Sequence, residues 1–299
     1  MKKINIIAVC LLGSALIACT EEPKRAAAEE NTEELKSEAE APIKEHLNRA
    51  YYPIPSPEQM FGFINDNGVA YSKDLTNSSE NADEYTDPSA QALNFGVYTA
   101  DLAYAAAYQD IEATIDLYKV VKRLGAQMNI SEIMTEETMA KMQQNMQDPD
   151  SLAVLAGDSY YQAVEFLEQN GQEGKLALMS LGGWVESLYI TLNAVGDISS
   201  NPETVQRIAD QKITFGNLYT YLKKHEDKVG VSDAIALIHD VREVFSSLRE
   251  ERAARTSSSG KKGKLVFGGG TKIQITEAQF DTLKTAINEF RAKITSVEA

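Results

Sequence analysis

Residues 87–108 read DPSAQALNFGVYTADLAYAAAY. Asp87-Pro88 opens them as a helix start, because proline fits the first helical turn, where its missing N–H is not needed. From Ser89 to about Tyr108 the apolar run predicts the first long helix. The same grammar recurs along the chain. Asp110 begins a second helix that reaches Leu124-Gly125, where glycine ends it. Thr135 to Gln147 is a short methionine-rich helix, and Asp150 or Ser151 caps another to Asn170-Gly171. Lys175 to Ala194 is strongly apolar and contains Gly182-Gly183. Asn201-Pro202-Glu203 starts a helix to His225. Ser232-Asp233 starts a long one, Ala234 to Ala254, with Ile235, Ile238, Val241, Phe245 and Leu248 at helical spacing. Thr276 with Gln279 caps the last helix.

Ahead of these, Tyr51-Tyr52-Pro53-Ile54-Pro55-Ser56-Pro57 has proline at every second position and favours an extended run. It delivers a short helix with Ser56 as N-cap, Pro57 first and Gln59 closing an S-x-x-Q box. That helix carries Met60, Phe61, Phe63 and Ile64 and stops at Asn67-Gly68. The polar stretch SKDLTNSSENADEYTD (72–87) is a long loop by length and composition. Residues 256–275 are the exception to the helical pattern. Ser and Gly clusters frame Lys264-Leu265-Val266-Phe267, then Gly268-Gly269-Gly270, then Lys272-Ile273-Gln274-Ile275, a small β-hairpin near 264–275. The expected fold is all-α: one domain, 50–299, of about eight helices with antiparallel neighbours. A faint echo links Gly96-Val97-Tyr98 with Gly182-Gly183-Trp184; tandem helical hairpins would produce it, and so would chance.

The chain has 299 residues, 43% of them hydrophobic, enough for one sizeable core or two small ones. Its formal charge is −15, and removal of Lys2 and Lys3 with a signal peptide takes it to −17. A field of that sign repels phosphate backbones, which argues against nucleic acid as a partner. The two cysteines are Cys10 and Cys19. Cys10 lies within an apolar run expected to be cleaved off, so thiol catalysis, cysteine-ligated metals and an internal disulfide are not expected of the mature fold.

Lys2 and Lys3 precede an apolar stretch from Ile4 to Ala18 that is too short and too poorly flanked for a stable membrane span. It ends in Leu16-Ile17-Ala18-Cys19, which resembles a bacterial lipobox. In that motif a small residue precedes a cysteine that is diacylated and becomes the first residue of the mature protein. Residues 1–18 are therefore read as a lipoprotein signal peptide and Cys19 as the lipidated residue. One acyl chain holds a protein to a bilayer only marginally, and two or more hold it stably. Thr20 stands where an Asp would resemble the inner-membrane retention signal of enterobacteria, so the outer membrane is the expected destination. Glu21 and Glu22 resemble the surface-export signal of Bacteroidota lipoproteins. Residues 19–49 then form an acidic tether, rich in Glu, Ala and Lys and nearly free of large apolar residues before Ile43.

Three strings, Tyr52-Pro53-Ile54-Pro55-Ser56-Pro57-Glu58, Ala92-Leu93-Asn94-Phe95-Gly96-Val97-Tyr98-Thr99-Ala100-Asp101-Leu102-Ala103-Tyr104 and Gly182-Gly183-Trp184-Val185-Glu186-Ser187-Leu188-Tyr189, resemble a group of Bacteroidota outer-membrane lipoproteins with no assigned activity. The resemblance implies a helical fold and an outer-membrane setting, and it supplies no activity.

Two acids interrupt apolar helices: Asp101, three residues from both Tyr98 and Tyr104, and Glu186, three residues from Tyr189. Side chains at this spacing share a helix face, and a tyrosine hydroxyl is a natural partner for a buried carboxylate. Tyr98, Asp101, Tyr104, Trp184, Glu186 and Tyr189 are therefore a candidate pocket for a small, cationic ligand. The alternatives are an internal hydrogen-bond network or acids facing water. His46 and His225 suggest no site. His239 and Glu243 have i, i+4 spacing, but no second histidine accompanies them. Met128, Met134, Met139, Met142 and Met146 serve either as an adaptable partner face or as core filler. Lys261, Lys262 and Lys264 are a basic cluster in a loop. No nucleophile elbow, phosphate loop or dinucleotide pattern is present, and no cofactor or metal is implied. The expected role is a non-enzymatic binding or structural module. It would be anchored to the membrane by its N-terminal lipid, with an envelope protein or an unidentified small molecule as partner. A motif-poor hydrolase or metal-dependent enzyme is the rival reading.

Overall fold

The Asp87 side chain accepts hydrogen bonds from the Ser89 and Ala90 N–H groups at 2.8 and 3.0 Å, and Pro88 takes the first helical position behind it. The same local chemistry starts three other helices. Asp110 accepts from Ala113, Asn201 accepts from Thr204, and Thr276 and Gln279 form a reciprocal capping box. The computed structural model describes residues 57–131, 135–145, 148, 162–252 and 271–296. In chain order they form α1 (Pro57–Asp66), 3-10 turns at Lys73–Leu75 and Ser79–Asp83, α2 (Pro88–Ala107), α3 (Ile111–Gln127), α4 (Glu136–Gln144) and α5 (162–169). There follow α6 (Glu173–Val195), α7 (Pro202–Lys224), α8 (Val231–Leu237), α9 (His239–Ser247), β1 (Arg249–Arg252), β2 (Thr271–Gln274) and α10 (Glu277–Thr295). Helix takes up 76% of the described residues, and their two strands pair in one antiparallel sheet, so the fold is all-α. The expected caps, Ser56 for the first helix and Asp150 or Ser151 for the one ending at Asn170-Gly171, lie outside the described residues.

α6 is the central element. It is apolar on every side, and α1, α2, α7, α8 and α10 all pack against it. Its closest neighbour is α2, and glycine sets the approach. A side-chain methyl on Gly96 would overlap the Met179 carbonyl and the Gly183 N–H, and one on Gly182 would overlap the Leu93 carbonyl. The glycine echo in the sequence thus has a packing reason: its two halves face each other across one backbone-to-backbone crossing. Leu93 meets Gly182 and Asp101 meets Glu186, so the contacts advance in the same direction along both helices. α2 and α6 are not antiparallel neighbours; the chain between them, α3 to α5, makes the return.

Three expectations are corrected. Helix α3 does not end at Gly125, which is buried inside it. It runs on to Gln127 and closes where Asn129 takes a left-handed φ of 58° and Ile130 N–H reaches the Gly125 carbonyl. The helix expected over Ala234–Ala254 is two short helices and a strand. α8 starts behind Gly230, whose φ is 76°, the helix breaks at Ile238, and Leu248 turns the chain extended. The strand wins because Arg249–Arg252 finds a ladder partner, and Lys212 ties its start to α7 through the Leu248 carbonyl (2.6 Å) and Glu250 (3.1 Å). The third correction concerns the hairpin. The partner of Thr271–Gln274 is β1, in the register Arg249↔Gln274 to Arg252↔Thr271, while residues 264–270 lie outside the described residues. Ile273 on β2 is buried against α7, and Gln206 donates to its carbonyl at 3.0 Å.

Candidate functional site

Asp101 on α2 and Glu186 on α6 lie one turn beyond the glycine crossing, and both are 0% exposed. Glu186 receives a bidentate pair of hydrogen bonds from Arg291 of α10, Nε to Oε2 at 3.1 Å and Nη2 to Oε1 at 3.0 Å. Two parallel charge-assisted bonds of this kind are the strongest pairing a buried carboxylate can find. The guanidinium also lies over the Tyr189 ring, 4.5 Å from its centroid. Asp101 Oδ2 accepts the backbone N–H of Asn77 at 3.0 Å, and the Glu186 carboxyl is its like-charged neighbour.

Burial pushes the pKa of Asp101 well above the ordinary carboxylate value. The charge of Glu186 pushes it further, while the Asn77 N–H and Arg291 act in the opposite direction. Burial also raises Glu186, but there Arg291 opposes it directly through both contacts. The environments therefore separate two carboxyls of the same chemistry, with Asp101 the one that keeps its proton more readily.

The tyrosines are not the partners of Asp101. Tyr98 donates its hydroxyl proton to the Ser78 carbonyl at 2.6 Å, and the Tyr104 hydroxyl accepts the Ser72 N–H at 2.9 Å. Both do share a helix face with Asp101, as their spacing requires, but what that face holds is the backbone of residues 72–78. Burial raises both hydroxyls above their ordinary value. Around them, Asn77 Nδ2 donates to Tyr85 (3.1 Å), Asn81 donates to Asn77 Oδ1 (3.0 Å), and Tyr85 donates to the Thr295 carbonyl (3.2 Å). The polar stretch 72–87 is thus an ordered cover over the acid pair. Tyr104 also packs against Phe61, Tyr71 and Tyr108.

Trp184 belongs elsewhere. It lies two residues before Glu186 and so on another face of α6, stacked among Phe215 and Phe245, with Nε1 donating to Gln211 at 3.1 Å. The six candidate residues accordingly divide. Tyr98, Asp101 and Glu186 form one cluster with Asn77 and Arg291, Tyr189 backs the arginine, Tyr104 holds the end of the cover, and Trp184 is core. Arg291 was missed by sequence reasoning. Its signal is positional: it stands four residues after Ile287 and three before Ile294, both buried, which places a charge beside the apolar stripe of α10. The guanidinium fills the place a cationic ligand would take.

Among the described residues no three His, Cys, Asp or Glu side chains gather as a metal set. His239 and Glu243 are both exposed, the former beside Asp240 and the latter beside Arg242. Met128 is core; Met134, Met146 and the Lys261, Lys262 and Lys264 cluster lie outside the described residues, as do the side chains of Met139 and Met142. No described helix is long and apolar enough to cross a membrane. Comparison with known protein families, curated proteins and solved structures finds no match to this chain.

Proposed function

We propose that the protein is a lipid-anchored outer-membrane lipoprotein whose helical body works as a non-enzymatic binding or structural module. The anchor rests on Leu16-Ile17-Ala18-Cys19 behind a basic start and a short apolar run. Thr20, Glu21 and Glu22 favour the outer membrane, periplasmic or surface-facing, and the negative charge favours a protein or small-molecule partner over nucleic acid.

The module reading rests on one observation. The acids that stand out in the sequence, Asp101 and Glu186, are both fully buried, and the counter-charge is internal, supplied by Arg291. A general acid or base must reach its substrate, at least through one water, and a pair closed in this way is built for holding helices together. The body then presents its outer helical surfaces to a partner in the envelope.

Replacing Cys19 by alanine tests the anchor. The variant should lose acyl labelling and leave the membrane fraction, because one covalent modification carries the whole attachment. A Cys19→Ala protein that is still acylated, or that still sediments with membranes after a high-salt wash, overturns it. For the module, native capture from outer membranes should return an envelope protein whose recovery is unchanged by Asp101→Asn. Turnover of a small molecule that Asp101→Asn abolishes would make the body an enzyme.

A further inference from the structure

Residues 72–78 lie along α2 as a strap gripped at successive turns of the helix. Tyr104 takes the Ser72 N–H, Asp101 takes the Asn77 N–H, and Tyr98 takes the Ser78 carbonyl. The outer grips are made by hydroxyls. The middle one is made by a carboxyl, and its surroundings restrict the form that carboxyl can take.

Against Asp101 stand Glu186 from α6 and Arg291 from α10, with Tyr98, Tyr85 and Tyr71 farther out. Two carboxylates and one guanidinium would leave a net negative charge sealed in the core. Arg291 has already given its Nε and Nη2 to Glu186. Asp101 Oδ1 is buried and no donor reaches it, and Glu186 is the charge that acts on it most strongly. Carboxylates accept hydrogen bonds and cannot donate them, so two carboxyls brought together in a sealed site need a proton on one side. Glu186, bound twice by Arg291, is the charged member.

We propose that Asp101 is a proton-operated latch, which keeps the 72–78 strap closed while its Oδ1 proton is donated to Glu186 and frees the strap when that proton is lost. The proton removes the buried excess charge, satisfies Oδ1 and leaves Oδ2 for the Asn77 N–H. Once ionised, Asp101 faces Glu186 as a like charge and stays closed only at high cost. Burial pushes the hydroxyls of Tyr71, Tyr85, Tyr98 and Tyr104 upward, so none of them exchanges a proton in the neutral range. Release of the strap bares the Tyr98–Asp101–Tyr104 face of α2.

The direction of the pH effect follows. In the open strap Asp101 meets water and has ordinary acidity, about 4. In the closed strap its value is raised, so closing takes up a proton. Closure is therefore strongest in acid and weakens as pH rises above about 4. The opening constant grows about tenfold per pH unit until the raised value is passed.

Amide hydrogen exchange on the full chain in detergent, corrected for intrinsic base catalysis, reads this directly. Protection of the Asn77 N–H should fall as pH rises above about 5, by up to about tenfold per pH unit, while amides in the middle of α6 hold theirs. Asp101→Asn keeps both contacts without an ionisable proton, since its oxygen accepts from Asn77 and its NH2 group donates to Glu186. The slope at Asn77 should then vanish. A flat wild-type profile, an unchanged slope in Asp101→Asn, or an equal slope in α6 overturns the latch. If the variant does not fold, infrared spectra of the wild-type protein decide. A neutral carboxyl stretch must be present at the pH values where Asn77 is protected and fade together with that protection, and its absence overturns the proposal.

Discussion

Gly182 and Leu93 touch backbone to backbone: any side chain on the glycine would occupy the space of the leucine carbonyl oxygen. This contact fixes how closely α2 and α6 approach. One turn further along, the same approach brings Asp101 and Glu186 close enough for each to act on the other's charge. The geometry of the acid pair is therefore a consequence of residues that carry no chemistry.

Gly182→Ala should lower stability by about 3 kcal/mol or more, because the obstacle is main chain and cannot turn aside. Gly216, inside α7, has nothing within 4 Å of where a methyl would go. Gly216→Ala should raise stability by ~0.5–1 kcal/mol through helix propensity alone. Urea denaturation of both variants measures the contrast, and equal midpoints would disprove the crossing.

Arg291→Met strands Glu186 in the core without its counter-charge, and the expected loss is ~3–5 kcal/mol. Adding Glu186→Gln should recover part of it, since the second substitution removes the stranded charge. A single variant within ~0.5 kcal/mol of wild type would mean that the pair is solvated.

Trp184 is the single tryptophan of the chain, so its fluorescence reports one place. Gln211→Leu leaves the buried indole N–H without its acceptor and should cost ~1–3 kcal/mol. The emission maximum should stay blue-shifted in the folded variant, because Phe215 and Phe245 still pack on the ring. A red-shifted folded state would show that Gln211 also excludes water.

His225 is buried beside Tyr221, and its Nε2 has no partner. Burial, with Lys224 and Lys228 nearby, holds its pKa below the ordinary 6.5, although Glu173 pulls the other way. A folded value below the unfolded one means that the unfolded chain binds the proton more readily. This contribution is complete above about pH 6.5 and is lost as pH falls through the depressed value. The difference in thermal midpoint between wild type and His225→Gln should narrow from about pH 7.5 to pH 5.5. A constant difference would show that His225 does not titrate there.

What the sequence disclosed was local. Caps at Asp87, Asp110, Asn201 and Thr276–Gln279 act within a few residues, and all four start helices where expected. Asp101 and Glu186 stood out because each breaks an apolar run. Their partners did not, because Arg291 lies 105 residues beyond Glu186 and Asn77 contributes a backbone N–H that any residue would have. The spacing of Tyr98 and Tyr104 gave the right face with the wrong occupant, since the polar composition of 72–87 reads as a solvated loop. Arg249–Arg252, all charged, reads as a continued helix and is a strand only because Thr271–Gln274 returns to pair with it.

That pairing has a topological result. Arg252 and Thr271 stand opposite each other in the ladder, so two residues 19 positions apart in the chain are next to each other in space. Four paired positions, with Ile273 seated on α7, clamp the two crossing strands together. The ladder holds Thr271 one strand spacing from Arg252, and with Ile273 on α7 it sets how α10 is delivered and where Arg291 meets Glu186. The ladder is in effect a mooring: it fixes the point from which the last helix sets out and so the register of everything that helix carries.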